Sequence, residues 1–270
     1  MESMKSLFQL YIQQFKTTFA TMFQYRASLV IWMIGQVLEP LVYLIVWSTV
    51  SNGNGGSIES YTTGAFVSYF IILMLVNQFT YTWVMFDYEY RIREGFLSFA
   101  LLKPVHPIHS DIADNIMSKS ITLPVLTVIA IVLGLAFHAR LSVTPWLAVL
   151  FVPGLLLAFA LRFLLEWTLA QSAFWTTRVS AINQIYFFLL LFLSGQIAPL
   201  SILPRAVQIA AKILPFYWTI GFPTELLLGK VTVAGAFIGI GVQIVWLVIA
   251  VFLVRFVWRL GVKAYSAVGQ

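Results

Sequence analysis

The chain has 270 residues, of which 60% are hydrophobic and only 10% charged, with no cysteine and a mean hydropathy of +0.91. A soluble domain carries charge at about 25% of its positions, so this chain cannot cover a soluble surface, and its apolar excess is expected to face lipid. The formal charge of +6 sits at the ends of apolar runs, which favours membrane topology and anionic headgroups over nucleic acid; the missing thiol excludes disulfides, thiolate metal sites and cysteine nucleophiles.

The first apolar-rich stretch, Leu7 to Phe23, is interrupted by Gln9, Gln13, Gln14 and Lys16. Phe8, Tyr11, Ile12, Phe15, Phe19, Met22 and Phe23 recur at helical spacing, with Lys5, Gln9, Gln13 and Lys16 opposite. That pattern predicts an amphipathic helix lying in the membrane interface, neither a cleaved leader nor a crossing. Six apolar segments then approach the roughly 20 residues needed to cross hydrocarbon. They are Ser28–Val50, Thr62–Val84, Ser118–Phe137, Pro145–Gln171, Ala181–Leu200 and Val233–Val257. The expectation is an all-α polytopic membrane protein with a single transmembrane domain over 1–270. Residues 1–27 form the interfacial helix, 28–257 the six-span bundle and 258–270 a cytoplasmic tail.

Basic residues near the span ends set the orientation. Lys5, Lys16, Arg26, Arg91, Arg93, Lys103, Lys119, Arg178, Arg255, Arg259 and Lys263 share one side, and Arg140, Arg205, Lys212 and Lys230 the other. The bias places both termini in the cytoplasm. Between spans two and three, Asp87 to Ser110 carries Asp87, Glu89, Arg91, Arg93, Glu94 and Lys103, so it belongs in water or against a partner. Gly95 permits a sharp bend there and Pro104 ends the helical stretch. Phe99 and Leu102, three apart, share one helix face.

Between spans five and six the sequence is too apolar for an exposed loop and too rich in proline for a clean crossing. Pro199, Pro204, Pro215 and Pro223 break it into short helices, with Ala206 to Leu214 long enough for about two turns. Such backbone sits at membrane depth only when protein or a wet cavity satisfies it, which predicts a re-entrant cap at the outer end.

Few residues inside the spans could carry chemistry. Glu39 is the only acid of the first span, and Gln36 and Tyr43 fall on its helix face. The stripe suits a transport path or a packing contact equally. Arg162 and Glu166, spaced i, i+4, read as a local ion pair snorkelling at the cytoplasmic end of span four. His106 and His109, near Asp111, lack the further ligands that a structural zinc needs. Gly229-Lys230-Val231-Thr232 lacks the glycine and the Ser/Thr that a phosphate loop requires.

Tyr90-Arg91-Ile92-Arg93-Glu94-Gly95-Phe96-Leu97, followed by Leu101-Leu102-Lys103-Pro104-Val105, resembles the cytoplasmic-loop pattern of ABC-2 type transporter permeases, in particular the bacterial subgroup that works as paired subunits. Phe174-Trp175-Thr176 fits as well, as does the later run of Ser194-Gly195, Pro199-Leu200, Leu203-Pro204, Leu214-Pro215-Phe216 and Pro223. The resemblance implies a permease subunit, not itself an enzyme, paired with a second permease chain. ATP and magnesium would be bound by a separate ATP-binding cassette ATPase subunit and no cofactor by this chain. It also implies a coupling helix formed by Glu94, Gly95, Phe99, Leu102, Lys103 and Pro104, and a re-entrant gate at Pro199, Pro204, Pro215 and Pro223.

On this reading the chain lies in the bacterial plasma membrane among lipids and exports an amphiphile. The path draws on Gln36, Glu39, Tyr43, Asn77, Tyr81, Asn183 and Gln196, with Phe187, Phe188 and Phe192 making it apolar and aromatic. Two alternatives stand beside it. One is an ion-coupled secondary transporter using Glu39. The other is a membrane-embedded lipid-modifying enzyme using His106 or His109.

Overall fold

The computed structural model describes residues 2–140, 143–176 and 179–265. Arg178 of the charge count and residues 266–270 of the expected tail lie outside the described residues. The protein is an α-helical bundle. Helix α1 (Glu2–Gln24) leads into α2 (Arg26–Gly53), and a two-stranded turn pairs Ser57–Ile58 with Tyr61–Thr62. Next come α3 (Thr63–Thr80), α4 (Val84–Arg93), α5 (Phe96–Leu101), α6 (Ile108–Ala136) and α7 (Pro145–Ala170). Helix α8 (Ser180–Leu193) is followed by α9 (Arg205–Ile213), α10 (Phe216–Thr219), α11 (Gly221–Leu227) and α12 (Val233–Ala264).

Five helical stretches, Arg26–Gly53, Thr63–Arg93, Ile108–Ala136, Pro145–Phe174 and Val233–Ala264, are long and apolar enough to cross a membrane. The fold is that of an all-α polytopic membrane protein. Helix α8 is apolar but has 14 residues, about 21 Å of rise against a core of about 30 Å.

Helix α3 is the axis of the bundle: nearly every residue from Phe66 to Val76 is buried. A helix apolar all round has no reason to present a face to water, and here protein surrounds it. Thr62 caps its start, its hydroxyl accepting from the Ala65 N–H. Helix α2 lies against it through stacked Trp47 and Phe66 and stacked Tyr43 and Phe70. Helices α7 and α12 pack closely. The amide of Gln243 donates to the Gly154 carbonyl at 3.0 Å and the Trp218 carbonyl at 2.8 Å.

Four boundaries depart from the sequence reading. The second span does not run through Val84: it opens at Tyr81-Thr82-Trp83 and resumes as α4. The third begins at Ile108, ten residues before Ser118, because the polar side chains of its first turns have partners: Arg91 and the Trp167 indole reach Asp111, and Gln14 and Thr18 reach Asp114. The fifth ends at Leu193, not Leu200. Gly195 takes φ +89°, a left-handed conformation that suits glycine, and a Cβ there would lie 2.6 Å from the Tyr69 hydroxyl. The sixth continues to Ala264, so the described part of the expected tail is helical to that residue.

Helix α1 shows the amphipathic logic with one refinement. Phe8, Phe19 and Phe23 are exposed on its outer side, as lipid contact requires. Its protein-facing side is polar: Gln14 and Thr18 donate to the Asp114 carboxylate, and Tyr11 Oη lies 3.2 Å from His109 Nδ1.

Candidate functional site

The α4–α5 turn is built as a knob. Gly95, at φ +74°, lets the chain reverse between the two helices, and Leu97 plugs the short helix into the bundle. The other side is bare. Phe96 is exposed beside Phe99 at 67% and Leu102 at 83%. Apolar side chains exposed together off the end of a bundle mark a contact surface. Glu94, Lys103 and Pro104 are exposed around them, and Arg93 pairs with Glu94 at 3.3 Å. The sequence reading found this surface but omitted Phe96, which the i, i+3 spacing to Phe99 would have revealed.

The knob is tied to the rest of the molecule at two points. Ser98 Oγ lies 2.9 Å from the Tyr265 hydroxyl, beyond the end of α12. Behind it, the His106 ring lies 4.5 Å from Trp258 and 5.6 Å from Trp167. Burial lowers the His106 pKa below the usual imidazole value, and His109 lowers it further. Both histidines are thus occupied in packing and hydrogen bonding, and no cluster of three metal-binding side chains occurs among the described residues.

Helix α4 connects the knob to the opening at Tyr81–Trp83, and polar groups clamp that opening. Arg162 and Glu166 of α7 are 1% and 0% exposed and pair at 2.7 Å. The guanidinium donates to Asn77 Oδ1 at 2.8 Å and to the Thr80 hydroxyl at 3.0 Å. Thr82 and Tyr186 donate to the Glu166 carboxylate. Lys119 of α6 donates to the Tyr81 carbonyl at 2.7 Å, an acceptor freed where the helix opens. Non-helical backbone at membrane depth survives only with such partners. The expected snorkelling pair is therefore corrected: it is buried, because α3 and α8 supply acceptors and donors that sequence spacing on α7 alone does not show.

The residues expected to line a path fall into separate groups. Asn77 and Tyr81 belong to the clamp. Gln36 and Tyr43 are half-buried on α2, whereas Glu39 is exposed. Asn183 of α8 is buried, and neither polar atom of its side chain has a hydrogen-bond partner among the described residues. Gln196 is half-buried in the turn after α8, whose backbone is held from outside. Tyr69 donates to the Gly195 carbonyl at 2.8 Å and the Trp47 indole to the Ile197 carbonyl at 2.7 Å. Pro199, Pro215 and Pro223 are buried and Pro204 is exposed. Pro204 and Pro215 directly precede α9 and α10, where a missing N–H costs nothing. Helices α10 and α11 are almost wholly buried.

A bundle of lipid-length helices, with buried short helices before its last crossing and an exposed apolar knob at the α4–α5 turn, defines a polytopic membrane protein. The ABC-2 family transporter pattern matches residues 37–269, and the chain belongs to that family. It is therefore a permease of an ABC transporter, a multi-pass membrane subunit. None of the curated proteins compared with it matches significantly.

Proposed function

We propose that this chain is the membrane half of an ATP-driven exporter of amphiphilic or lipid-like molecules. In this reading α8 and the turn after it make the sixth crossing, both termini are cytoplasmic, and the chain lies in a bacterial plasma membrane beside a second permease subunit. An ATP-binding cassette ATPase, holding ATP and magnesium, seats the α5 knob in a groove. Its motion passes along α4 to the clamped opening at Tyr81–Trp83, and the Pro-bounded helices α9–α11 gate the outer end. Gln36, Glu39, Tyr43, Asn77, Tyr81, Asn183 and Gln196 would be met along the path or at the subunit seam.

The observation that carries this reading is the exposed Phe96, Phe99 and Leu102 surface joined by one helix to a buried ionic clamp. The same surface supplies the test. Phe99→Asp and Leu102→Asp place charge on a face that must desolvate on docking, at a cost of about 2 kcal/mol or more each. Both positions are exposed, so the melting temperature of the isolated permease should stay within about 2 °C. The expected result is loss of a co-purifying ATPase from the variants and its retention by the unsubstituted chain. Undiminished co-purification from both variants would reject the docking site.

A further inference from the structure

We propose that the open cavity between α1, the foot of α2, the α3–α4 opening and the first turns of α6 binds the protonated amine headgroup of an alkylammonium amphiphile. The inference rests on the exporter reading and names its substrate class. The cavity holds about 530 Å3, within the range of small-molecule sites.

Three features give it a chemical preference. The first is charge. In a chain with sixteen basic and ten acidic residues, all three aspartates, Asp87, Asp111 and Asp114, line this one cavity, against Arg91 and Lys119. Arg91 is committed to Asp111 at 2.6 Å and reaches Asp87 only at 3.6 Å. Lys119 donates to the neutral Tyr81 carbonyl and Asn115, so three carboxylates face two cations. Asp114 is held by the neutral groups of Gln14 and Thr18. Negative charge is thus left over beside Asp87 and Asp114.

The second feature is the wall. Trp32, Tyr81 and Trp83 line the cavity, with ring centroids 5.9 Å apart for Trp32 and Tyr81 and 6.2 Å for Tyr81 and Trp83. Aromatic faces beside carboxylates attract cations.

The third is an unmet acceptor. Gln78 lines the cavity and is 3% exposed. Its Nε2 donates to Thr122 at 2.9 Å, while its Oε1 has no hydrogen-bond partner among the described residues. A buried carbonyl oxygen without a donor carries a desolvation cost. An ammonium brings N–H donors and positive charge; an ionised carboxylate brings neither donor nor positive charge. The apolar rim of Met22 and Leu29, on the helices that border lipid, suits the first carbons of a tail.

Binding to the purified full-length permease in maltoside micelles at pH 7 tests this without any ATPase. The probes are dodecylamine, dodecyltrimethylammonium and laurate, measured by competition against a diazirine-bearing dodecylamine whose crosslinks are mapped by mass spectrometry. Crosslinks are expected on α1, the foot of α2, α4 and the first turns of α6, displaced most strongly by dodecylamine, less by the trimethylated analogue and not by laurate. Asp87→Asn and Trp83→Leu should each weaken dodecylamine binding about three- to tenfold. Crosslinks elsewhere, laurate or the trimethylated analogue competing as well as the amine, or unchanged affinity in both variants would overturn the proposal. Mapping and competition on the unsubstituted chain decide the matter if either variant fails to fold. Absent binding with intact ATPase co-purification removes this inference alone, whereas loss of co-purification bears on the exporter reading alone.

Discussion

At the end of the bundle that carries α4 and α5, neighbouring helices are joined by directional polar contacts. Arg162, Glu166, Lys119, Asn77, Thr82 and Tyr186 each reach across to another helix. At the opposite end, α10 and α11 are held mainly by shape. Phe222 packs so closely on Gly239 that a Cβ there would lie 2.2 Å from the ring, and fewer polar ties cross between elements: the Gln243 amide, Tyr217 to Glu225 and the Trp218 indole to the Lys212 carbonyl. A charge-assisted network has alternative partners and can exchange one discrete arrangement for another. A close-packed apolar contact has only its fit.

Breaking the clamp gives the largest expected effect. Arg162→Ala leaves Glu166 buried without its cation, and Glu166→Ala leaves the guanidinium; either should destabilise by about 3–5 kcal/mol, read as a lowered melting temperature in micelles. Replacing both with leucine removes the stranded charge and should restore most of that stability. Transport by the complex should stay impaired even so, because Thr82 and Tyr186 lose their shared acceptor. A double variant that melts normally and transports at the full rate would reduce the clamp to packing.

The α10–α11 end should answer to volume at Gly239. Gly239→Val drives a branched side chain into Phe222 and should cost about 1–3 kcal/mol. A paired Phe222→Leu should recover part of it by vacating the ring. If Gly239→Val were neutral, that end would be looser than its packing, and the contrast between the ends would fail.

How far the sequence revealed these two ends follows from where their causes lie. Apolar runs, the amphipathic spacing of α1 and the prolines before α9 and α10 are local signals, and each marked its element. Ala206 to Leu214 differs from α9 by one residue at each end. The opening at Tyr81–Trp83 has neither proline nor glycine to announce it; Lys119 and Glu166, far off in sequence, supply the hydrogen bonds there. Arg162 and Glu166 were legible as a pair from their spacing, but their burial was not, because Asn77 and Tyr186 come from other helices. The knob was legible because Gly95 and its apolar neighbours lie within one short segment.

The smallest effect expected concerns the seam between knob and bundle, where His106 packs against Trp167 and Trp258. Burial, with His109 nearby, lowers its pKa in the folded protein. Above the ordinary imidazole pKa of about 6.5 the ring is neutral folded or unfolded and contributes nothing to pH dependence. As the pH falls through that value the unfolded chain takes up the proton first, so stability declines until the pH passes the lowered folded pKa, below which the loss is complete. His106→Phe keeps an aromatic ring against the two tryptophans and removes the titration. The melting temperature of the unsubstituted chain should therefore fall relative to that of the variant between pH 7 and pH 5. His106 is exposed on its other side, so parallel melting curves across that range would mean that contact with the two tryptophans does not desolvate the ring, leaving Ser98 and Tyr265 as the tie between α5 and the end of α12.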